Sequence, residues 1–176
     1  MKLIIASDLH GDAACTRALF DAFDREQADK ILLLGDLLYH GPRNDLPSHY
    51  APKEVISLLN RHKDVLLCVR GNCEADVDGM VLEFPIHAEY AYLLLDGISV
   101  FATHGHHYPP EKCALKEGDC YLQGHTHVPQ KETRGGILYL NPGSVSLPKN
   151  GAPKTYMIYE NGNFEIKEMD GTVYLS

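Results

Sequence analysis

The chain has 176 residues, 44% of them hydrophobic and 23% charged, with a formal net charge of −8. That length fits one domain, residues 1–176, able to bury about two thirds of its unfolded surface without staples. With no Lys/Arg stripe the acidic balance excludes a nucleic-acid-coating surface, and no apolar run approaches the roughly 20 residues of a membrane span.

Residues 2–7 read as a short apolar strand. Asp12 can cap a helix over about residues 13–28, whose apolar positions include Leu19, Phe20 and Phe23. A second buried strand is expected over 30–34, then a polar loop over 37–50 containing Gly41-Pro42-Arg43-Asn44. Pro52 suits the first position of a helix whose apolar face carries Val55, Ile56, Leu58 and Leu59. A third strand is expected over 64–69. This front half reads βαβαβ, which implies parallel strands joined by right-handed crossovers.

The back half is strand-rich. Residues 88–95 and 98–103 flank Asp96-Gly97, a tight hairpin turn. Strands over 120–123, 136–140, 155–160 and 163–168 follow, with Asn161-Gly162 as a second hairpin turn and 172–175 as an edge strand. Two facing mixed sheets with helices outside satisfy both halves.

Five cysteines, Cys15, Cys68, Cys73, Cys113 and Cys120, form an odd count with no CxxC pair. With no export signal at the N-terminus, they read as free thiols of a cytoplasmic protein. Cys15, Cys68 and Cys120 read as small buried hydrophobes. Tyr90, Tyr92, Phe101, Tyr108 and Tyr121 stay open between core packing and an interface in a homo-oligomer. His49, His62 and His87 read as ordinary surface histidines.

Chemistry concentrates in five short polar segments, each following an apolar run. They are Asp8-Leu9-His10, Gly35-Asp36, Gly71-Asn72, His104-Gly105-His106 and Gly124-His125-Thr126-His127. Singly, the acids suit helix caps, the Asn a turn and the paired His a solvated loop. Together they place two carboxylates, an amide and at least four imidazoles just past strand ends. In an α/β sheet such residues gather along one edge, where ligands bind. Flanking glycines permit sharp turns and close backbone approach. This donor set suits two adjacent divalent cations, whose main use is displacement of oxygen nucleophiles at phosphorus. Two such cations, two carboxylates and one hydroxide leave a local charge of about +1, attractive to an anionic phosphodiester.

These blocks resemble the calcineurin-like metallophosphoesterase superfamily, with its D-x-H, G-D, G-N-[HC]-[DE], H-G-H and G-H-x-H motifs. More narrowly, the chain is similar to the small bacterial YfcE-type phosphodiesterases. The resemblance also runs through His40-Gly41-Pro42-Arg43-Asn44, Arg70-Gly71-Asn72-Cys73-Glu74 and Asn141-Pro142-Gly143-Ser144-Val145-Ser146. It implies the family's α/β fold, a four-layer αββα sandwich of two mixed sheets flanked by helices. It also implies that Asp8, His10, Asp36 and His127 hold one metal, and that Asp36, Asn72, His104 and His125 hold the other, with Asp36 bridging. The family typically uses manganese, although such a donor set also accepts zinc, iron or nickel. The implied activity is hydrolysis of a small phosphodiester by metal-activated hydroxide attacking phosphorus in line.

One departure matters. Many relatives carry His after the Gly-Asn, placed to protonate the leaving oxygen, whereas this chain has Cys73. Cys73 itself, His106 or His107 are candidate acids, and a leaving group needing no acid is the favoured reading. Arg43 is a candidate grip on a phosphate oxygen. The Asn141 segment is expected to shape the site floor through backbone turns. A phosphomonoesterase on the same centre is one rival. The other is a non-catalytic interaction scaffold, like the retromer subunit of this fold, but all seven expected ligands are retained here.

Overall fold

The computed structural model describes residues 1–176. Alternation along β1 (Lys2–Ala6) explains the layering. Ile4 and Ala6 face one hydrophobic cluster, Leu3 and Ile5 another, and all four are buried. A strand buried on both faces must lie inside a sandwich. On one side of it pack α1 (Ala13–Glu26) and α2 (Pro52–Arg61), through Leu19, Phe20, Ala22, Val55 and Leu59. The Asp12 side chain accepts from the Cys15 backbone N–H at 3.0 Å, and Pro52 sits in the first turn of α2.

The first sheet holds β1, β2 (Lys30–Leu33), β3 (Leu66–Cys68), β9 (Thr155–Glu160), β10 (Asn163–Glu168) and β11 (Val173–Leu175) in the order β11-β10-β9-β1-β2-β3. Its β1, β2 and β3 are parallel, as the crossovers require, and β9 runs antiparallel to β1. The second sheet contains β4 (Tyr90–Leu95), β5 (Ile98–Thr103), β6 (Cys120–Leu122), β7 (Gln130–Arg134) and β8 (Ile137–Asn141) in the order β4-β5-β6-β8-β7. Between the sheets, Leu3, Ile5, Leu32 and Met157 meet Val100, Ala102, Cys120, Leu122 and Leu140.

The expected α/β sandwich of two mixed sheets is present. Over the outer face of the second sheet the covering layer is a loop with one 3-10 turn, Pro110–Lys112. Phe101 and Tyr121 are buried beneath it, Tyr108 is half-buried, and Tyr90 and Tyr92 are exposed on β4. All five cysteines are free; Cys15 and Cys120 are buried and Cys68 is half-buried. His49 and His87 are exposed, while His62 is half-buried and stacks on Phe20 with ring centroids 3.8 Å apart. No helix is long and apolar enough to cross a membrane.

Three local features differ from expectation. The third strand is shorter, because residues Lys63–Val65 form a 3-10 turn before it. Strand β7 was not expected: its sequence, Gln-Lys-Glu-Thr-Arg, has no apolar residue, which suits an outer strand whose charges discourage edge-to-edge pairing. Residues 82–86 carry no regular element, yet Leu82, Phe84 and Ile86 enter the core beside α2.

Candidate metal centre

The pairing of β1 with β2 continues past the strand ends. The N–H groups of Asp8, His10 and Gly11 donate to the carbonyls of Gly35, Asp36 and Leu37 at 3.1, 2.9 and 2.9 Å. This locks the first two polar segments side by side. Gly35 and Gly71 let the third come close, since a Cβ on Gly35 would lie 2.3 Å from the Gly71 nitrogen. Asp36 Oδ1 accepts from the Cys73 N–H at 2.8 Å. From the second sheet, Gly124 N–H donates to the His104 carbonyl at 3.1 Å, and Asp8 Oδ2 accepts from the His125 N–H at 3.1 Å. All five segments therefore meet at the C-terminal ends of β1, β2, β3, β5 and β6.

The seven expected ligands form two overlapping groups. In one, His10 Nε2 lies 3.3 Å from His127 Nε2, 3.5 Å from Asp8 Oδ1 and 3.7 Å from Asp36 Oδ2, with His127 Nε2 3.2 Å from Asp8 Oδ1. In the other, His104 Nε2 lies 3.1 Å from Asn72 Oδ1, 3.2 Å from His125 Nδ1 and 3.5 Å from Asp36 Oδ2. Asp36 belongs to both. Asp8, His10, Asp36, His104 and His127 are buried, His125 is half-buried and Asn72 is exposed at the mouth.

Whether these residues fit cations can be judged from their hydrogens. His10 Nδ1 donates to the Tyr39 carbonyl at 2.7 Å, and His127 Nδ1 donates to the Leu147 carbonyl. With those protons committed outward, neutral His10 and His127 point two Nε2 lone pairs at each other across 3.3 Å. Asp8 Oδ1 beside them is buried without a hydrogen-bond partner. Facing lone pairs and an orphan carboxylate oxygen are unfavourable unless a cation lies among them. The donor separations also match ligands held at about 2.1 Å around one ion. His104 is oriented likewise, its Nδ1 donating to the Leu34 carbonyl at 2.6 Å.

The electrostatics agree. Burial alone would raise the Asp8 carboxyl, but the imidazoles of His10, His127 and His104 around it hold it far below the usual carboxylate range. Burial opposes a charged His104, yet the adjacent Asp36 and Asp8 carboxylates raise it to about 9. The acids thus demand positive charge, which a cation supplies in place of the proton.

Backbone strain marks the same residues. Asp8, His10, Asp36, His125 and His127 have φ of 59°, 47°, 57°, 65° and 60°. Left-handed backbone at non-glycine positions clusters at functional sites. Buried Glu74 supports it: the N–H groups of Asp36, Leu37 and Gly71 all donate to its carboxylate. Ser144 and Ser146 hydroxyls donate to the Asp8 carbonyl at 2.8 and 2.7 Å, and Asn141 Nδ2 donates to the Gly124 carbonyl at 2.8 Å. The Asn141 segment thus braces the Asp8 and Gly124 backbone through its side chains, where backbone turns were expected to shape the site.

A cleft of about 420 Å³ opens over the centre, lined by Asp36, Asn72, His125, His127, Cys73, Arg43 and Lys149 among others. Cys73 and Arg43, the candidate acid and the candidate phosphate grip, both line this cleft. His106 is not among the residues lining this cleft; its ring lies 5.3 Å from that of His104 and 6.1 Å from that of His125, and it packs against His107 at 3.8 Å between centroids, near Glu89. Burial and the neighbouring charge of His104 lower it to about 4. Sequence reasoning missed Glu74 as an organiser and Lys149 as a cleft residue. Glu74 stood inside a recognised motif, whereas nothing local marks Lys149.

The sequence matches the calcineurin-like phosphoesterase superfamily domain over residues 1–163. It is 46% identical to the phosphodiesterase YfcE of Escherichia coli K12, over 92% of this chain and 88% of that one. It is 26% identical to the phosphodiesterase MJ0936 of Methanocaldococcus jannaschii, over 96% and 98%. The solved structure of E. coli YfcE, a phosphoesterase, superimposes with a TM-score of 0.95 at 43% identity, covering 98% of this chain and 96% of that one. Vps29 of Entamoeba histolytica, at 21% identity and a TM-score of 0.64, shares the fold. The facing imidazoles and shared carboxylate thus stand on a known framework, and the chain belongs to the calcineurin-like phosphoesterase superfamily.

Proposed function

We propose that this protein is a dinuclear-metal phosphodiesterase acting on a small phosphodiester. The observation that carries the reading is the pair of imidazole lone pairs aimed at each other beside an orphaned Asp8 oxygen. Asp8, His10, Asp36 and His127 would hold one ion and Asp36, Asn72, His104 and His125 the other, with Asp36 shared. Manganese suits this oxygen- and nitrogen-rich set, as do other first-row divalent ions. When bound, such ions acidify a water and neutralise phosphoryl charge. A cytoplasmic location fits five unpaired thiols.

The chain's own groups do the rest. Carbonyls of Tyr39, Leu34 and Leu147 fix the tautomers of His10, His104 and His127, so each presents a lone pair inward. Arg43 faces the cleft and can bind a non-reacting phosphate oxygen. Cys73 lines the cleft as a thiol that burial and then the Asp36 charge push well above its ordinary value. Bound cations act in the opposite sense, and a thiol remains a poor proton donor beside an imidazole. His106 is not among the residues lining the cleft. The reading that follows is a substrate whose leaving group departs without protonation.

The test is hydrolysis of bis-p-nitrophenyl phosphate against p-nitrophenyl phosphate, after metal stripping, with and without added manganese. Manganese-restored turnover favouring the diester, lost in Asp36→Asn, is expected. A monoester preference would change the substrate class, and no activity with any first-row ion would favour a scaffold. Cys73→His should raise turnover of an alkyl diester while Cys73→Ala leaves the aryl diester within about threefold. A large loss for Cys73→Ala on the aryl diester would make the thiol the acid.

A further inference from the structure

The cleft carries positive charge that neither coordination nor ion pairing uses. Apart from the ligands, its charged side chains are Arg43 and Lys149, and no carboxylate lies within ion-pair distance of either. In a chain of net charge −8, two exposed, unpaired cations on one cleft make that cleft a locally positive surface open to an anion. A phosphodiester brings a single negative charge, which two divalent cations with Asp8, Asp36 and one hydroxide, at about +1, would already match.

Both cations are held by structured backbone. The Lys149 N–H donates to the carbonyl of the ligand His127 at 3.2 Å, and Ala152 N–H closes the following turn on the Lys149 carbonyl at 3.1 Å. Arg43 belongs to the loop after β2, pinned by the Asn44 amide donating to the His40 carbonyl at 2.7 Å. A Cβ on Gly41 would lie 3.4 Å from Cys73 Sγ, so this loop reaches the cleft from the Cys73 side while Lys149 enters beside His127. The lining contains no Phe, Tyr or Trp, so a stacked base finds no aromatic platform.

Resting on the phosphodiesterase reading, we infer that the substrate is a phosphodiester whose non-leaving arm carries a second anionic group, held by Lys149, with Arg43 left to the reacting phosphate. A phosphate and a carboxylate share that chemistry. Three p-nitrophenyl diesters with the same leaving group separate them, their second arms being ethyl, 2-carboxyethyl and 2-phosphonoethyl.

With the manganese-loaded protein, at least one anionic arm should raise kcat/KM about tenfold over ethyl, mainly through KM. The arm with the larger gain identifies the source of the charge. Lys149→Gln should bring the ratio close to one, and Lys149→Arg should keep most of it. In calorimetry, 2-phosphonoethyl phosphate or 2-carboxyethyl phosphate should bind more tightly than ethyl phosphate, and Lys149→Gln should abolish that difference. Equal turnover of all three diesters, or a preference unchanged in Lys149→Gln, overturns this inference alone. No turnover of any of the three overturns the phosphodiesterase reading as well.

Discussion

Glu74 lies outside the proposed ligand set, yet three N–H groups from the Asp36 and Gly71 loops converge on its carboxylate. Two of those N–H groups belong to Asp36 and Leu37, so Glu74 fixes the left-handed backbone that aims the Asp36 carboxylate. Its Oε2 accepts from both Asp36 and Gly71 and its Oε1 from Leu37. Glu74→Gln replaces one acceptor oxygen with an amino group that must face at least one buried donor. The expected loss is about 2 kcal/mol of stability in urea titrations, with manganese affinity down roughly tenfold to a hundredfold. Unchanged affinity would reduce Glu74 to loop packing. The seven candidate ligands were legible as a cluster because aspartate, asparagine and histidine after apolar runs have few other reasons to recur together. The left-handed conformation of five of them was not legible, since only glycine announces positive φ in a sequence. Lys149 was silent because an exposed lysine in a turn looks the same whether or not a cleft lies beside it.

At the scale of elements, hydrophobic alternation exposed the strands with a core face; the wholly exposed β11 could still be read from its apolar Val-Tyr-Leu, whereas β7 stayed hidden. Strand β10, with Phe164 and Ile166 buried, could be read; β7, with no buried residue, could not. Helix α1 ends where Gln27 turns left-handed, just after Glu26. Glu26 ties that end to the first sheet: Lys167 Nζ donates to both its oxygens at 2.9 and 3.1 Å, Tyr156 OH donates at 2.8 Å, and Lys2 lies at 3.2 Å. Burial would raise this carboxyl, but the Lys167 hydrogen bond and the other donors lower it below the ordinary 4.5. A lowered folded value means that the stabilisation is complete above pH 4.5 and is lost as pH falls through that folded value. Glu26→Gln should therefore cost about 1–3 kcal/mol near pH 7. The gap to the parent should narrow on acidification below pH 4.5 in paired denaturant titrations. A gap that stays constant down to pH 3 would assign the effect to shape rather than charge.

The whole molecule places its chemistry where two sheets meet. Asp8, His10, Asp36 and Asn72 come from loops of the first sheet, and His104, His125 and His127 from loops of the second. The architecture was readable from the order of elements, whereas the thin cover over the second sheet depends on how a loop packs on Phe101 and Tyr121. Because the donors span both sheets, ions bound there hold the sandwich together at one edge and relieve repulsion among buried donors. Unfolding scatters those donors, so binding is linked to stability. Free manganese at 100 times its dissociation constant stabilises by about 2.7 kcal/mol per ion. At about 2–4 °C per kcal/mol for a chain of this length, each ion should raise Tm by about 5–10 °C over chelator-treated protein. Asp36→Asn, altered at the carboxylate both ion positions share, should lose most of that rise while keeping a cooperative transition. Scanning calorimetry of both proteins, with chelator and with manganese, makes the comparison. Identical transitions for the parent with and without manganese would mean that the facing imidazoles hold no ion. A full rise retained by Asp36→Asn would mean that the ions bind without the carboxylate that joins the two halves of the centre.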